Sequence, residues 1–171
     1  LLPALARKNY EKMIEKQETF QHWSNTNWWT TFNSNKNNTD IAIITSGLGR
    51  NYYFENKDEY QEFLKALSPS KELPSHLHIA TLPLPLEKIK KIAQISKTIL
   101  VIEEGMPVIE KQLKGLLPQE NQILGKLSGH LPRTGELNPD VVRKALFLKE
   151  KKTILDNLEY SSVLENLAAP I

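Results

Sequence analysis

Four short apolar runs recur along the chain, and stretches of amphipathic sequence about ten residues long separate them. The runs IAIIT from Ile41 and TILVIEE from Thr98 do not alternate and are rich in β-branched residues, the pattern of strands buried on both faces. HLHIATL from His76 and the weaker NQILGKL from Asn121 are the other two strand candidates. Between them, KDEYQEFLKALS, LEKIKKIAQIS, VIEKQLKGLL and PDVVRKALFL carry apolar residues at three- and four-residue spacing, so each predicts a helix with one buried face. A strand that must return parallel to its predecessor needs a crossover of this length. The alternation therefore predicts a mainly parallel open sheet covered by helices on both faces, a three-layer α/β/α unit.

Punctuation places the boundaries. Asn56 with Glu59 three residues on reads as a capping pair for the first of these helices, and Pro69 and Pro74 end it. Pro107 stands where a first-turn proline would open the third helix, which Gly115 and Pro118 close. Asn138 followed by Pro139 marks the start of the fourth. Ahead of the sheet, Leu5, Tyr10, Met13, Ile14 and Phe20 predict a helix. Six asparagines between Asn25 and Asn38 then interrupt all periodicity, which predicts a linker or surface excursion. Trp28, Trp29 and Phe32 within it are expected to pin it to a neighbouring surface. They do not read as a stacking platform for nucleic acid, which needs a basic groove beside the aromatics. The expected organisation is an entering helix and Asn-rich linker over 1–38, the α/β unit over 39–148, and a helical tail and linker over 149–171.

Charge and composition exclude several classes. Twenty-two Lys and Arg against 20 Asp and Glu leave a net charge of +2, too little to imply a nucleic-acid partner. The absence of cysteine excludes thiolate catalysis, disulfides, Cys-ligated zinc and an iron–sulfur cluster on these residues. No run approaches the ~18 apolar residues of a membrane-spanning helix, and the N-terminus turns charged within seven residues. A cytoplasmic protein without a membrane partner is expected. The chain opens on Leu1 rather than Met, as a piece of a longer polypeptide would.

In such sheets ligands bind beyond the carboxyl ends of the strands. Ser46, Gly47, Gly49, Arg50 and Asn51 lie in the SGLGRN segment that leaves the first buried run. Its glycines would let backbone amides approach an anion, with Arg50 adding a charge-assisted contact. The segment lacks the Lys-Ser/Thr of a P-loop and the third glycine of a dinucleotide fingerprint, so a bare tight turn is the alternative. His130 and Arg133 share the rigid loop SGHLPRTGE, where the histidine would titrate near neutral pH, bind a phosphate with Arg133, or else organise the loop. Glu103 and Glu104 are adjacent on a strand and point to opposite faces, so they read as a solvated strand terminus and not as an acid/base pair. His76 and His78 share a strand face but lack a third ligand, so they read as polar residues at the strand entrance, not as a metal site. No catalytic constellation stands out and no metal site is expected.

The strings IAIITSGLGRNYY, HIATLPLPLEKIKKIA, TILVIEEGMPVIEKQLKGLL and GKLSGHLPRTGELNPDVVRKAL resemble, in this order over 41–146, the middle domain of the indolepyruvate:ferredoxin oxidoreductase alpha subunit, in the pyruvate:ferredoxin oxidoreductase superfamily. The resemblance implies a unit like the C-terminal domain of transketolase, with five strands and one antiparallel edge strand. It implies a parent enzyme that decarboxylates an aryl 2-oxoacid on thiamine diphosphate, passes electrons through iron–sulfur clusters to ferredoxin and releases an acyl-CoA. It places the cofactor residues in flanking domains, so this piece alone is expected to be inactive and to bind no cofactor of its own. Its expected partners are the flanking domains of the same chain and, through the parent enzyme, a beta subunit and ferredoxin. Surface that flanking domains would cover makes a homodimer of the piece a further expectation. The Asn-rich stretch and the segment 68–76 are longer than the resemblance implies, which leaves a related 2-oxoacid open. The alternative is a free-standing interaction, CoA-binding or nucleotide-binding module of the same fold.

Overall fold

Every one of the four apolar runs is a strand of one sheet in the computed structural model, which describes residues 3–151. The strands are β2 (Ala42–Ser46), β3 (His76–Ile79), β4 (Thr98–Ile102) and β5 (Gln122–Leu124), all parallel. A fifth, β1 (Phe32–Asn33), pairs antiparallel with β3 at the edge, Phe32 opposite Leu77. The order is β1-β3-β2-β4-β5. The expected mainly parallel sheet with one antiparallel edge is therefore present.

Alternation along the strands sorts the core into two layers. Ala42, Ile44, Leu77 and Val101 face Ile89 and Ile92 of α4 (Leu86–Ile95) and Leu113 of α5 (Val108–Leu116). Ile43, Leu100 and Ile102 face Tyr53, Tyr60 and Leu64 of α3 (Gly49–Leu67) and Val142 of α6 (Pro139–Ala145). The strand residues in both layers are essentially inaccessible, which is why their runs read as continuously apolar. Each such side chain contributes about 1.5–3 kcal/mol by leaving water.

Three boundaries differ from expectation. The first is α3, which begins at Gly49 rather than at Asn56. Asn56 is buried inside the helix and its amide donates to the Pro139 carbonyl at 2.9 Å, tying α3 to α6. The second is the leading helix, which is two helices, α1 (Pro3–Glu15) and α2 (Gln17–Thr26).

The third concerns the Asn-rich stretch, expected as a linker or surface excursion: it runs as a strap along the sheet edge and supplies the unforeseen β1. Asparagine side chains take the place of a regular ladder there. Asn27 Oδ1 accepts from Thr30 N at 2.8 Å, Asn35 Nδ2 donates to the Leu73 carbonyl at 2.8 Å, and Asn38 Nδ2 donates to the Glu72 carbonyl at 2.6 Å. Phe32 packs against the first core layer as expected, but Trp28 is 77% exposed and Trp29 43%.

The predicted caps at α6 hold: Asn138 Oδ1 accepts from Val141 N at 2.9 Å, with Pro139 at the first helical position. Among the described residues no helix is long and apolar enough to cross a membrane. The helical tail expected over 149–171 lies, from residue 152 on, outside the described residues.

Candidate functional site

Strand order reverses at β2: the chain moves from β2 to β3 on one side, then crosses to β4 on the other. The crevice beyond the carboxyl ends at such a reversal is where an open α/β sheet holds its ligand. Here it is a space of about 320 Å³ lined by Ser46, Gly47, Thr81, Glu103, Glu104 and Met106, among others.

Glu103 is not a solvated strand terminus. It is 3% exposed, and its carboxylate accepts from Ile109 N at 2.8 Å and Glu110 N at 2.9 Å. It thus caps the first turn of α5 from the end of β4, a contact favoured by the helix dipole. Burial pushes its carboxyl above the usual range by more than these amides pull it down. Glu104 is exposed.

A second opening, of about 450 Å³, is lined by Trp28, Trp29, Thr31, Arg50, His78 and Thr81. The strap provides the indoles: Trp29 meets Trp23 edge-on (centroids 5.7 Å apart) and lies tilted against Trp28 (5.0 Å). Arg50, half-buried in the first turn of α3, lies 5.4 Å from the centre of the Phe54 ring. Behind it, Thr45 Oγ1 lies 2.9 Å from His76 Nε2 and 3.1 Å from His78 Nδ1. One hydroxyl hydrogen serves one imidazole, so the other must donate N–H to Oγ1. Both histidines are buried rather than at a polar strand entrance. Burial, then His78 and the cations Arg50 and Lys57, hold His76 down to about 3. Burial and Arg50 lower His78 as well.

The residues singled out in the sequence divide accordingly. Ser46 and Gly47 line the first crevice and Arg50 the second. Asn51 is exposed. Gly49 has a packing role: a Cβ there would stand 2.4 Å from the Ile102 carbonyl oxygen. His130 turns to α6, with Nε2 2.9 Å from the Ala145 carbonyl oxygen and its ring 5.3 Å from that of Phe147. It organises its loop, while Arg133 is exposed on the same loop.

Sequence reasoning missed Glu110 and Lys126, both buried. Glu110 Oε2 accepts from Leu127 N at 2.7 Å, and Lys126 Nζ donates to the Gly105 carbonyl at 2.7 Å, so the loops after β4 and β5 are tied together. The one sign in the sequence is a carboxylate at the helix position next to Ile109, on the buried side.

No family model matches the chain. It is similar to the indolepyruvate oxidoreductase subunit IorA of Methanothermobacter thermautotrophicus, 25% identical over 148 residues that make up 85% of this chain and 22% of that one. It is 30% identical over 159 residues to the IorA subunit of Archaeoglobus fulgidus, covering 89% of this chain and 23% of that one. The chain thus spans less than a quarter of the length of the curated relatives it matches. Among solved structures, a 2-oxoglutarate:ferredoxin oxidoreductase from Magnetococcus marinus, with 2-oxoglutarate, coenzyme A and succinyl-CoA bound, superposes with a TM-score of 0.53 at 14% identity. That match covers 84% of this chain and 24% of that one and speaks for the fold. The likeness drawn from the four strand–loop strings is borne out by these relatives.

Proposed function

We propose that this relative of the indolepyruvate oxidoreductase IorA subunits is a non-catalytic domain of a thiamine diphosphate-dependent 2-oxoacid:ferredoxin oxidoreductase, with an aryl 2-oxoacid such as indolepyruvate as the substrate of the whole. One observation carries the reading: the likeness runs over 85–89% of this chain but 22–23% of the relatives. The side chains also support it. Glu103 is bonded to the start of α5, His76 and His78 to Thr45, and His130 to the Ala145 carbonyl, so these four buried or loop-bound groups each have a contact within the fold.

The residues present do not fit the two cofactors the parent reaction needs. There is no cysteine to hold an iron–sulfur cluster. The switch-point crevice offers Glu103 and Glu104, with neither Lys nor Arg among its lining residues, and repels a diphosphate. Both cofactors then belong to flanking domains, and this unit positions those domains. Coenzyme A differs: Arg50, in the first turn of α3 after β2, and Arg133, on the loop after β5, can contribute to its pocket in the assembled enzyme. The beta subunit and ferredoxin would be met through the parent.

The test is to sequence the gene on both sides of the codons for Leu1 and Ile171. An open frame running on into a thiamine diphosphate motif and clustered cysteines is expected. A start and a stop at these positions would overturn the reading in favour of a free-standing module. In the intact enzyme, Arg50→Ala with Arg133→Ala should raise the KM for coenzyme A. An unchanged KM would remove coenzyme A from the account and leave the scaffold.

A further inference from the structure

The opening beside Arg50 has features that scaffolding does not use. Its lining includes one cation, Arg50, whose guanidinium makes no salt bridge or side-chain hydrogen bond to the described residues. A half-buried guanidinium without a carboxylate is costly, because it has lost water and gained no anion. The neighbouring histidines do not compete with it, because both are neutral. His78 is 8% exposed; its Nδ1 is engaged by Thr45, which leaves Nε2 as its open polar atom.

The same opening is lined by two indoles that the fold leaves partly uncovered. Trp28 and Trp29 are 77% and 43% exposed, in a strap whose asparagines fix its course. Exposing that much aromatic area beside a cation is unfavourable unless something covers it. Flat faces, a cation and an imidazole on one opening describe a ligand with a ring to stack and a negative charge to pair. The switch-point crevice next door presents carboxylates and suits no such ligand.

The geometry points to a binding site at this opening for a flat aromatic ring bearing an anionic group, with Trp28 and Trp29 stacking on the ring and Arg50 pairing with the anion. A bound anion selects the His78 tautomer with hydrogen on Nε2, in which Thr45 donates to Nδ1 and accepts from His76. Two sources share this chemistry: the adenine and phosphates of a nucleotide, and an aryl carboxylate. The inference deepens the role given to Arg50 above but is tested on the 171-residue chain itself, so its failure leaves the gene test untouched.

Two of the three tryptophans of the chain line this opening and the third, Trp23, meets Trp29 edge-on, so tryptophan fluorescence reports on it. The chain is titrated with ADP and with phenylacetate, exciting at the red edge of indole absorption. Adenosine and benzylamine serve as controls that keep the ring and lack the anion. Saturable quenching by ADP identifies the nucleotide source and by phenylacetate the aryl carboxylate, and either supports the site. Arg50→Gln should weaken binding by about tenfold or more, the worth of a charge-assisted hydrogen bond. Trp28→Ala, at an exposed position that folding does not need, should weaken it several-fold and keeps the test valid if the arginine variant misfolds. No saturable change with either anion, or equal affinity for the uncharged and cationic controls, overturns the inference.

Discussion

Gly49 in the first turn of α3 and Ile102 at the end of β4 are in backbone contact so close that no other residue fits at position 49. A Cβ there would stand 2.4 Å from the Ile102 carbonyl oxygen and 3.1 Å from its carbonyl carbon. The obstacle is backbone, which cannot rotate aside. Gly49→Ala is therefore expected to lower the unfolding free energy by about 1–3 kcal/mol, the usual cost of overpacking. A urea midpoint shift at unchanged slope would show it. An unmoved midpoint would mean that α3 pivots freely away from β4.

Glu103 ties stability to pH. Its folded carboxyl titrates above the ordinary 4.5, so between the two values the folded chain binds more protons than the unfolded one. Stability from this group is thus lost as pH rises through that window. A protonated Glu103 side chain and the glutamine amide of Glu103→Gln are near-isosteres, so wild type and variant should match most closely at acid pH. With rising pH the wild type should fall behind Glu103→Gln, at a slope of at most ~1.4 kcal/mol per pH unit. Urea unfolding of both proteins across a pH series measures the difference. A wild type that gains on the variant as pH rises would show that the amide cap outweighs burial.

The histidine pair works in the opposite direction. His76 titrates near 3 when folded against an ordinary 6.5, and His78 is also lowered. Below 6.5 the unfolded chain binds protons that the folded chain refuses, so stability is lost as pH falls from 6.5 toward 3. His76→Gln keeps a polar atom near Thr45 and removes one of the two protons. Its acid limb should be shallower than that of the wild type by about one proton. Superimposable acid limbs would mean that His76 is protonated in the fold.

What is legible in the sequence follows from range. β2 and β4 are buried on both faces, so their residues read as strands without any partner being known. Asn138 and Pro139 declare a helix start through contacts three residues long. The edge strand β1 leaves no such mark: it has two residues, one of them exposed Asn33, and only pairing with Leu77 and His76 defines it. The start of α3 is obscured because Gly47, at φ +51°, makes a true turn, while Gly49 two residues on is helical for reasons located on β4.

The site is legible in the same measure. Arg50 stands out because it follows a buried strand and two glycines. The indoles that share its opening are conspicuous, but they read as anchors, since nothing local says which face of a strap is covered. Glu103 reads as solvated because its partners, the amides of Ile109 and Glu110, belong to backbone and leave no mark in the residue types.

Phe147 holds the last prediction. It follows α6 with φ 61°, and Leu148 N donates to the Arg143 carbonyl at 3.1 Å while Phe147 N donates to the Lys144 carbonyl at 3.0 Å. This is the Schellman arrangement, and its left-handed position is normally glycine. A phenylalanine there carries a conformational cost of about 1–2 kcal/mol. Its ring is 62% exposed and recovers only a part of that through His130. Phe147→Gly should therefore raise the thermal midpoint, with a net gain of up to ~1 kcal/mol after the added freedom of the unfolded glycine is subtracted. A lowered midpoint would show instead that the contact with His130 outweighs the backbone cost. The loop from Gly125 to His130 would then depend on Phe147 as well as on the Ala145 carbonyl.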